Sequence, residues 1–526
     1  MLKNFKKKIS KEIKSHSVCY LLLAIILIGA FFVRIYRTED LLRFYYDQGR
    51  DALVVWKLWH EGKPFLIGPV TGLQGIFLGP FYYYLIAPFY LIAGGNPVIP
   101  AIFLSFLSTL AILMLFILGK EMYSRATGIF AATIGAFSYY IVLHSRWLSN
   151  PNPILLISLL LLYSMWKIVQ GQAKNKMWWI LVALFVGLSL QLESASAVFY
   201  IPVVLIFIFW FYSRQTSHPE FIPGSKLSEI LKRVQNDKNV LVSSIVIFLL
   251  TLLPQIAFNF RHENLLLNNF FNLFFKEKAF RPMTLAILET RLNYFWNVLI
   301  SKLFTGLHKY TEILVILSAS ALLVQRKKLK SGLLTFFAIF LITPMIGYIF
   351  FQGNYGNIYD YYMSGYYFPM ILLFAIGLGA LWKTFLGKAV VISFFVIFFN
   401  LNLPVVKNFL TADVDTRPIG LEEQLQAVDW VFDDVEGGGQ FNLNVYVPPV
   451  IPHAYDYLFL WQGFKKCGEN LCGKVEENVS LFYTLYEADP PHPERLSAWL
   501  DRQEMVGEVE DGKQFGMITV QRRRRL

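Results

Sequence analysis

Long apolar runs separated by short polar connectors fill the first 404 positions. They fall at about 18–34, 77–95, 98–118, 127–143, 153–170, 178–192, 195–212, 240–258, 310–325, 332–351, 363–382 and 388–404. A helix needs about 20 predominantly apolar residues to cross the hydrocarbon core of a bilayer, so each run is a candidate span. Beyond about Pro404 the pattern changes. The stretch EEQLQAVDWVFDDV (422–435) has the spacing of an amphipathic helix, and FNLNVYVP (441–448) alternates as a strand. A second strand is expected in VSLFYTLYEA (479–488), a helix in PERLSAWLDRQ (493–503), and a last strand in FGMITVQ (515–521). The pattern predicts a polytopic α-helical membrane protein over 1–404 and a small C-terminal α/β domain over 405–526.

Loop charge decides which runs cross. Basic loops occur at KNFKKK, at 119–125, at 172–176, across 213–239, at RKKLK (326–330) and at KTFLGK (383–388). Lysines and arginines in short loops collect on the cytoplasmic side. If all twelve runs crossed, the N-terminal tail would lie inside and the later basic loops outside. If 77–95 does not cross, all of them lie inside. That run, FLGPFYYYLIAPFYLIAGG, carries Pro80, Pro88 and clustered aromatics, which suit the membrane interface. It is read as a re-entrant or interfacial helix. About eleven transmembrane helices remain, in an inner (plasma) membrane, with the N-terminus cytoplasmic and the C-terminal domain extracytoplasmic.

Composition agrees. Of 526 residues 55% are hydrophobic and only 16% charged, against about 25% charged in soluble globular proteins. The net charge of +12 is what cytoplasmic loops contribute, and no basic module with stacking aromatics points to nucleic acid. Cys467 and Cys472 are too few to build a zinc site, and pair more naturally as a local disulfide outside the cell. No HExxH or His pair occurs, so no cofactor is called for; a divalent metal is compatible but not indicated. The tail RRRR (522–525) reads as solvated.

On this topology the outside face gathers the polar loops. The first contains FYYDQGRDALVVWKLWHEG (44–62), with apolar residues at helical spacing and two tryptophans, as in a helix lying on the membrane surface. Asp47 would be its N-cap. Asp47, Arg50 and Asp51 share one side, which fits an ion-paired surface helix as well as a carboxylate held for chemistry. A second loop carries Arg146, Asn150 and Asn152 in SRWLSNPNP, where the asparagines suit sugar hydrogen bonds or pre-proline turns. Glu193, in LQLESASAVF, is an acid at a span's end, costly unless solvated or paired. Arg146 or Arg50 would be its natural partner. Arg261 with His262, and Arg281, are further outside cations, and arginine suits phosphate. Asp360, Tyr361 and Tyr362 precede a late span.

The order of these parts carries a resemblance. A first span leads to an outside loop with an early acidic residue, then LGPFYYYLIAPFYLIAGGNP, a second span, and LGKEMYSRATGIFAATIGAFS. Over roughly residues 15–400 this resembles the GT-C glycosyltransferases, most closely the protein O-mannosyltransferase and aminoarabinose lipid A transferase group and the RgtA/B/C/D-like branch. The resemblance implies a membrane enzyme that moves a sugar from a polyprenyl-phosphate donor to an extracytoplasmic acceptor, with inversion. It implies that Asp47 orients or deprotonates the acceptor hydroxyl. Gln48 stands where the mannosyltransferases often have a second acid, which makes Glu193 the candidate second carboxyl. Arg50, Asp51, Arg146, Asn150, Asn152, Arg261, His262, Asp360, Tyr361 and Tyr362 are the expected substrate contacts. The rivals are a transporter or flippase of lipid-linked sugars and an inactive glycolipid-binding relative; the chain shows no half-to-half repeat of the kind common in transporters.

Overall fold

The structure, a computed structural model, describes residues 11–71, 75–215, 238–276, 283–306, 309–351, 356–414, 417–435, 439–448 and 451–526. In chain order, α1 (Ser17–Ile35) leads to α2 (Tyr46–Glu61) and α3 (Phe81–Ile92). Next come α4 (Val98–Met122), α5 (Arg125–Phe137), α6 (Tyr139–Ser145), α7 (Ile154–Lys167) and α8 (Lys176–Leu192). They are followed by α9 (Tyr200–Gln215), α10 (Lys238–Arg261), α11 (Leu265–Phe271) and α12 (Leu285–Ser301). The helical part closes with α13 (Lys309–Val324), α14 (Leu333–Phe350), α15 (Ser364–Leu381) and α16 (Phe385–Thr411).

Among the described residues eight helices are long and apolar enough to cross a membrane, or nine if the bent pair α5–α6 is one span. α8 and α13 are apolar but shorter, at 17 and 16 residues. Large apolar side chains face outward where lipid would lie. On α1, Val18, Leu21, Leu22, Ile25, Ile28 and Phe32 form one exposed stripe. α3 has twelve residues, a rise of about 18 Å, too short for a core about 30 Å thick.

The 66° bend between α5 and α6 frees backbone groups that need partners in an apolar interior. Buried Arg34 supplies them: its guanidinium donates to Gly135 O and Ala136 O, at 2.9 Å each, and to Ala30 O. On the other side of the bend, Asn402 Oδ1 accepts the Tyr139 N–H at 2.9 Å. The kink is thus fixed by two side chains from distant helices.

α16 runs on through Pro404 to Thr411. After it come α17 (Leu421–Asp434), β1 (Asn442–Tyr446), α18 (His453–Cys467), β2 (Leu481–Glu487), α19 (Pro493–Glu504), β3 (Gly507–Phe515) and β4 (Ile518–Arg525). The strands form one sheet of order β1-β2-β4-β3, parallel at β1–β2 and antiparallel elsewhere. Cys467 and Cys472 are disulfide-bonded. The arginine tail is not a solvated end. It is strand β4, with Arg522 and Arg524 paired to Glu510, Arg522 also to Asp434, and Arg523 buried with its guanidinium on Gly507 O. Acids on the neighbouring strand and helix make four consecutive arginines tolerable in a sheet.

This C-terminal segment does not stand apart from the first loop; they share one core. Phe44, Ala52, Val55, Tyr82, Tyr90 and Leu104 pack in the same cluster as Leu421, Val428, Tyr457, Leu458, Trp461 and Leu485. Polar contacts tie the same seam: Leu421 N–H to Leu42 O, Gln424 Nε2 to Phe44 O, and Tyr45 OH to Ile419 O. The approach is closest at Gly49, where a Cβ would lie 2.3 Å from His453 O and Ala454 N. Only glycine lets α18 seat on α2 at this point.

Candidate active site

α2 positions the first acidic group. Its N-cap is Tyr45, whose N–H donates to Gln48 Oε1 at 3.1 Å. Asp47 therefore stands in the first turn and is not the N-cap, because the Gln48 side chain already fills that role. Gln48 Nε2 donates to Leu148 O at 3.2 Å, so the residue expected to be a missing second acid is a buried brace between the start of α2 and the turn before α7. A carboxylate in the first turn sits at the positive end of the helix dipole.

Arg50 joins two acids. Its Nη1 lies 2.9 Å from Asp47 Oδ1 and its Nη2 2.8 Å from Asp51 Oδ1. Asp51 does not face a ligand. It is 3% exposed and also accepts the Tyr83 hydroxyl at 3.1 Å. Burial pushes its carboxyl up to about 6, against the opposing pull of Arg50. The role of Asp51 here is to hold Arg50, leaving the half-exposed Asp47 carboxylate toward open space.

That space is a cavity of about 310 Å³. Asp47, Arg50, Asn150, Glu193, Tyr361 and Tyr362 all border it. Its remaining wall is largely apolar, with Leu190, Val198, Phe199 and Leu273. Arg50 is the one Lys or Arg among the described lining residues. Asn150 Nδ2 is held by Leu192 O at 2.6 Å, which ties the second loop to the end of α8.

Glu193 joins α8 to the turn that begins the next span. It is 6% exposed, and its Oε1 accepts the Ala195 N–H at 3.2 Å. No cation pairs with it among the described residues. Arg50 is engaged by Asp47 and Asp51, and Arg146 donates to Val33 O, Tyr36 O and Arg37 O. Burial pushes the Glu193 carboxyl up to about 8. One cavity thus holds an ion-paired carboxylate and a buried carboxyl that keeps its proton at neutral pH, the division of labour that acid–base chemistry uses.

Several expected contacts lie elsewhere. Arg146 braces the end of α1, since three backbone carbonyls claim its guanidinium. Asn152 is fully buried and donates to Ser145 O and Trp147 O, so it shapes the turn before α7. Arg261 and His262 are exposed at the end of α10 and do not border the cavity; the His262 ring stacks on Phe258 at 4.0 Å. Arg281 falls outside the described residues. Asp360 turns away, 2.7 Å from Lys302 Nζ and accepting the Tyr367 hydroxyl at 2.9 Å. It borders a second cavity of about 380 Å³ with Arg43, His144 and Arg146. Trp147 and Tyr361, with ring centroids 6.1 Å apart, border both cavities. Sequence reading passed over Trp147, Tyr348 and Lys302. Trp147 stood inside a quoted motif, but nothing local marks a tryptophan as a partition between two spaces. The Tyr348 hydroxyl lies between Ala195 O and Tyr362 O, at 2.8 and 2.7 Å, where its one proton is shared by the two carbonyls, and so joins the Glu193 turn to the tyrosine pair. Among the described residues no three His, Cys, Asp or Glu side chains converge as a metal site would require.

Comparison with known proteins agrees with this architecture. Residues 78–223 match the family model described as dolichyl-phosphate-mannose-protein mannosyltransferase. No curated protein sequence matches the chain. Among solved structures, ArnT from Cupriavidus metallidurans in the apo state superposes with a TM-score of 0.60 at 10% identity, over 97% of this chain and 98% of that one. The same protein bound to undecaprenyl phosphate gives 0.58 at 10% identity, over 96% and 97%. The oligosaccharyltransferase AglB from Archaeoglobus fulgidus, in complex with an inhibitory peptide and a dolichol-phosphate, gives 0.50 at 11% identity, over 96% of this chain and 74% of that one. At such identities the likeness is one of fold.

Proposed function

We propose that this chain, which resembles the GT-C membrane glycosyltransferases in its fold and in the segment 78–223, transfers a sugar from a polyprenyl-phosphate carrier to an acceptor hydroxyl outside the cytoplasm. The observation that carries this reading is the pair of carboxyls on one cavity, Asp47 paired with Arg50 and half-exposed, Glu193 buried. The mostly apolar wall suits the first isoprene units of a lipid carrier, whose phosphate would meet the Tyr361 and Tyr362 hydroxyls. That ArnT and AglB have been seen with lipid phosphates supports this choice of donor.

In the proposed step the acceptor oxygen bonds to the anomeric carbon as its proton passes to Asp47. The bond from that carbon to the carrier phosphate breaks, and its electron pair leaves on the phosphate. Attack from the Asp47 side, opposite the leaving group, inverts the centre. Charge grows on the phosphate, and preorganised donors stabilise such charge most effectively. Arg50 holds the Asp47 carboxylate in place, and protonated Glu193 and the Tyr361 and Tyr362 hydroxyls supply O–H donors toward that charge or a sugar hydroxyl. We place the site on the extracytoplasmic face, with the N-terminus inside, from the loop charges.

The test is Asp47→Asn in a radiolabelled polyprenyl-phosphate-sugar assay on the purified protein. Loss of a positioned general base lowers turnover on the order of 10²–10⁴-fold, with folding and membrane insertion unchanged. Wild-type turnover by this variant would refute the assignment.

A further inference from the structure

Three basic loops meet at one end of the helical bundle. Lys330, in the 326–330 loop, donates from Nζ to Glu121 O in the 119–125 loop. Lys383, in the 383–388 loop, lies 4.4 Å from the Tyr123 ring centroid. Beside them is a polar cavity of about 550 Å³, with Glu12, Lys120, Glu121, Arg125, Lys167 and Lys330 among its walls. Its two carboxylates are already claimed: Glu12 pairs with Lys120 at 3.0 Å and Glu121 with Lys167 at 2.6 Å. Arg125 reaches Glu12 only at 3.7 Å, and its side chain is 42% exposed. Among the described residues no carboxylate pairs with Lys330, Lys383 or Lys388.

Arg125 also borders a second cavity, of about 540 Å³ and different character. Its wall is mostly apolar, with Val18 and Leu22 from α1, Ile129 and Phe130 from α5, and Trp382 just after α15. Val18 and Leu22, 71% and 46% exposed, belong to the outward stripe of α1, so this groove opens sideways toward lipid. Lys388 stands 5.9 Å from the Trp382 ring centroid. An apolar groove thus runs into a basic cavity, and Arg125 stands where they join. Around the two, six cations (Lys120, Arg125, Lys167, Lys330, Lys383 and Lys388) face two carboxylates, a surplus of four.

We propose that the joined cavities bind an anionic glycerophospholipid with a glycerol headgroup. Its phosphate sits at Arg125, its headgroup hydroxyls in the basic cavity and one acyl chain in the groove. Basic pockets between spanning helices hold anionic headgroups by charge. Charge also selects among lipids. The ammonium of a zwitterionic headgroup would enter a cavity with surplus cations, and both carboxylates there are taken. A polyprenyl phosphate ends at its phosphate and would leave the basic cavity unfilled. A soluble anion would leave the apolar groove uncovered. The bound lipid ties the start of α1 to α5 and to the end of α15. The 19 residues of α1, about 28 Å of rise, separate this site from the first loop, and the inference does not rest on the proposed transfer.

The experiment is native mass spectrometry of the delipidated full chain in detergent. It is offered an equimolar mixture of dioleoyl phosphatidylglycerol, phosphatidylcholine and phosphatidylethanolamine. Phosphatidylglycerol is expected to be retained about fivefold or more over each zwitterionic lipid, the contribution of roughly one cation at an anionic surface. The double variant Arg125→Gln, Lys383→Gln abolishes that preference. Lys174→Gln, Lys176→Gln, which removes two charges from an exposed loop outside both cavities, leaves it intact. With undecaprenyl phosphate added, chains carrying both lipids are expected, and excess glycerol phosphate displaces neither. Equal retention of the three phospholipids by the wild type would overturn the assignment, and this readout needs no variant. An unchanged preference in the first double variant, or an equal loss in both, would overturn it too. Displacement by undecaprenyl phosphate would make this a carrier site, and displacement by glycerol phosphate a site for soluble anions; either result refutes the proposal.

Discussion

Replacing Glu193 by glutamine tests whether a buried, proton-bearing carboxyl borders the cavity. In the folded chain the carboxyl is pushed from 4.5 to about 8 by burial. The folded state therefore holds a proton that the unfolded state has released across this whole interval. Stability is greatest below the unfolded value and falls as pH rises toward the folded value. The slope is about 1.4 kcal/mol per pH unit, so from pH 5.5 to 7.5 the wild type loses about 2.5 kcal/mol through this group alone. Glutamine keeps the size and one donor but cannot titrate. The assay is the denaturation midpoint of the detergent-solubilised protein at several pH values, wild type against Glu193→Gln. The two are expected to lie close near pH 5 and to diverge toward pH 8, with the variant the more stable. All other titrating groups cancel in that difference. If the two profiles stay parallel from pH 5 to 8, Glu193 is not a buried acid and its assigned role as a donor fails. Turnover gives a second readout: activity of the wild type declines above about pH 8 as the donor proton is lost, and that decline is absent in the variant.

The close approach at Gly49 makes a second prediction. Gly49→Ala places a methyl 2.3 Å from backbone atoms of His453 and Ala454, and such overpacking costs about 1–3 kcal/mol; turnover and midpoint fall together, and unchanged values of both would refute the contact. The topology is checked by cysteine labelling in intact cells with an impermeant reagent. A cysteine at Lys63 is expected to react and one at Lys327 to stay silent, and the reverse pattern would invert the membrane orientation.

The apolar runs were legible because each spans several turns of helix and contacts within a helix are local. The interfacial reading of 77–95 rested on the loop charges together with its prolines and aromatics, and the structure has a twelve-residue helix there. The functions of single polar residues were less legible. Gln48 looked like a lost acid, yet its amide is used 100 residues away at Leu148. Arg146 looked like a phosphate ligand, yet three carbonyls more than 100 residues earlier take its guanidinium. Spacing along one helix could not tell Asp47 from Asp51, since Arg50 binds both; only burial separates them. The arginine tail misled because an isolated basic string has no visible partner until β3 and α17 bring Glu510 and Asp434 beside it.

The shared core between the first loop and the last hundred residues also sets an order of assembly. α2 is synthesised long before α17, yet Leu42 and Phe44 just ahead of it find their hydrogen-bond partners at Leu421 and Gln424. Contacts of such long sequence separation form late. The carboxylate on α2 therefore waits for α17 before its loop is held in its final place. A chain that stops before α17, even with every earlier helix inserted, would lack these partners for the first loop, and synthesis of α17 becomes the event that completes the seam.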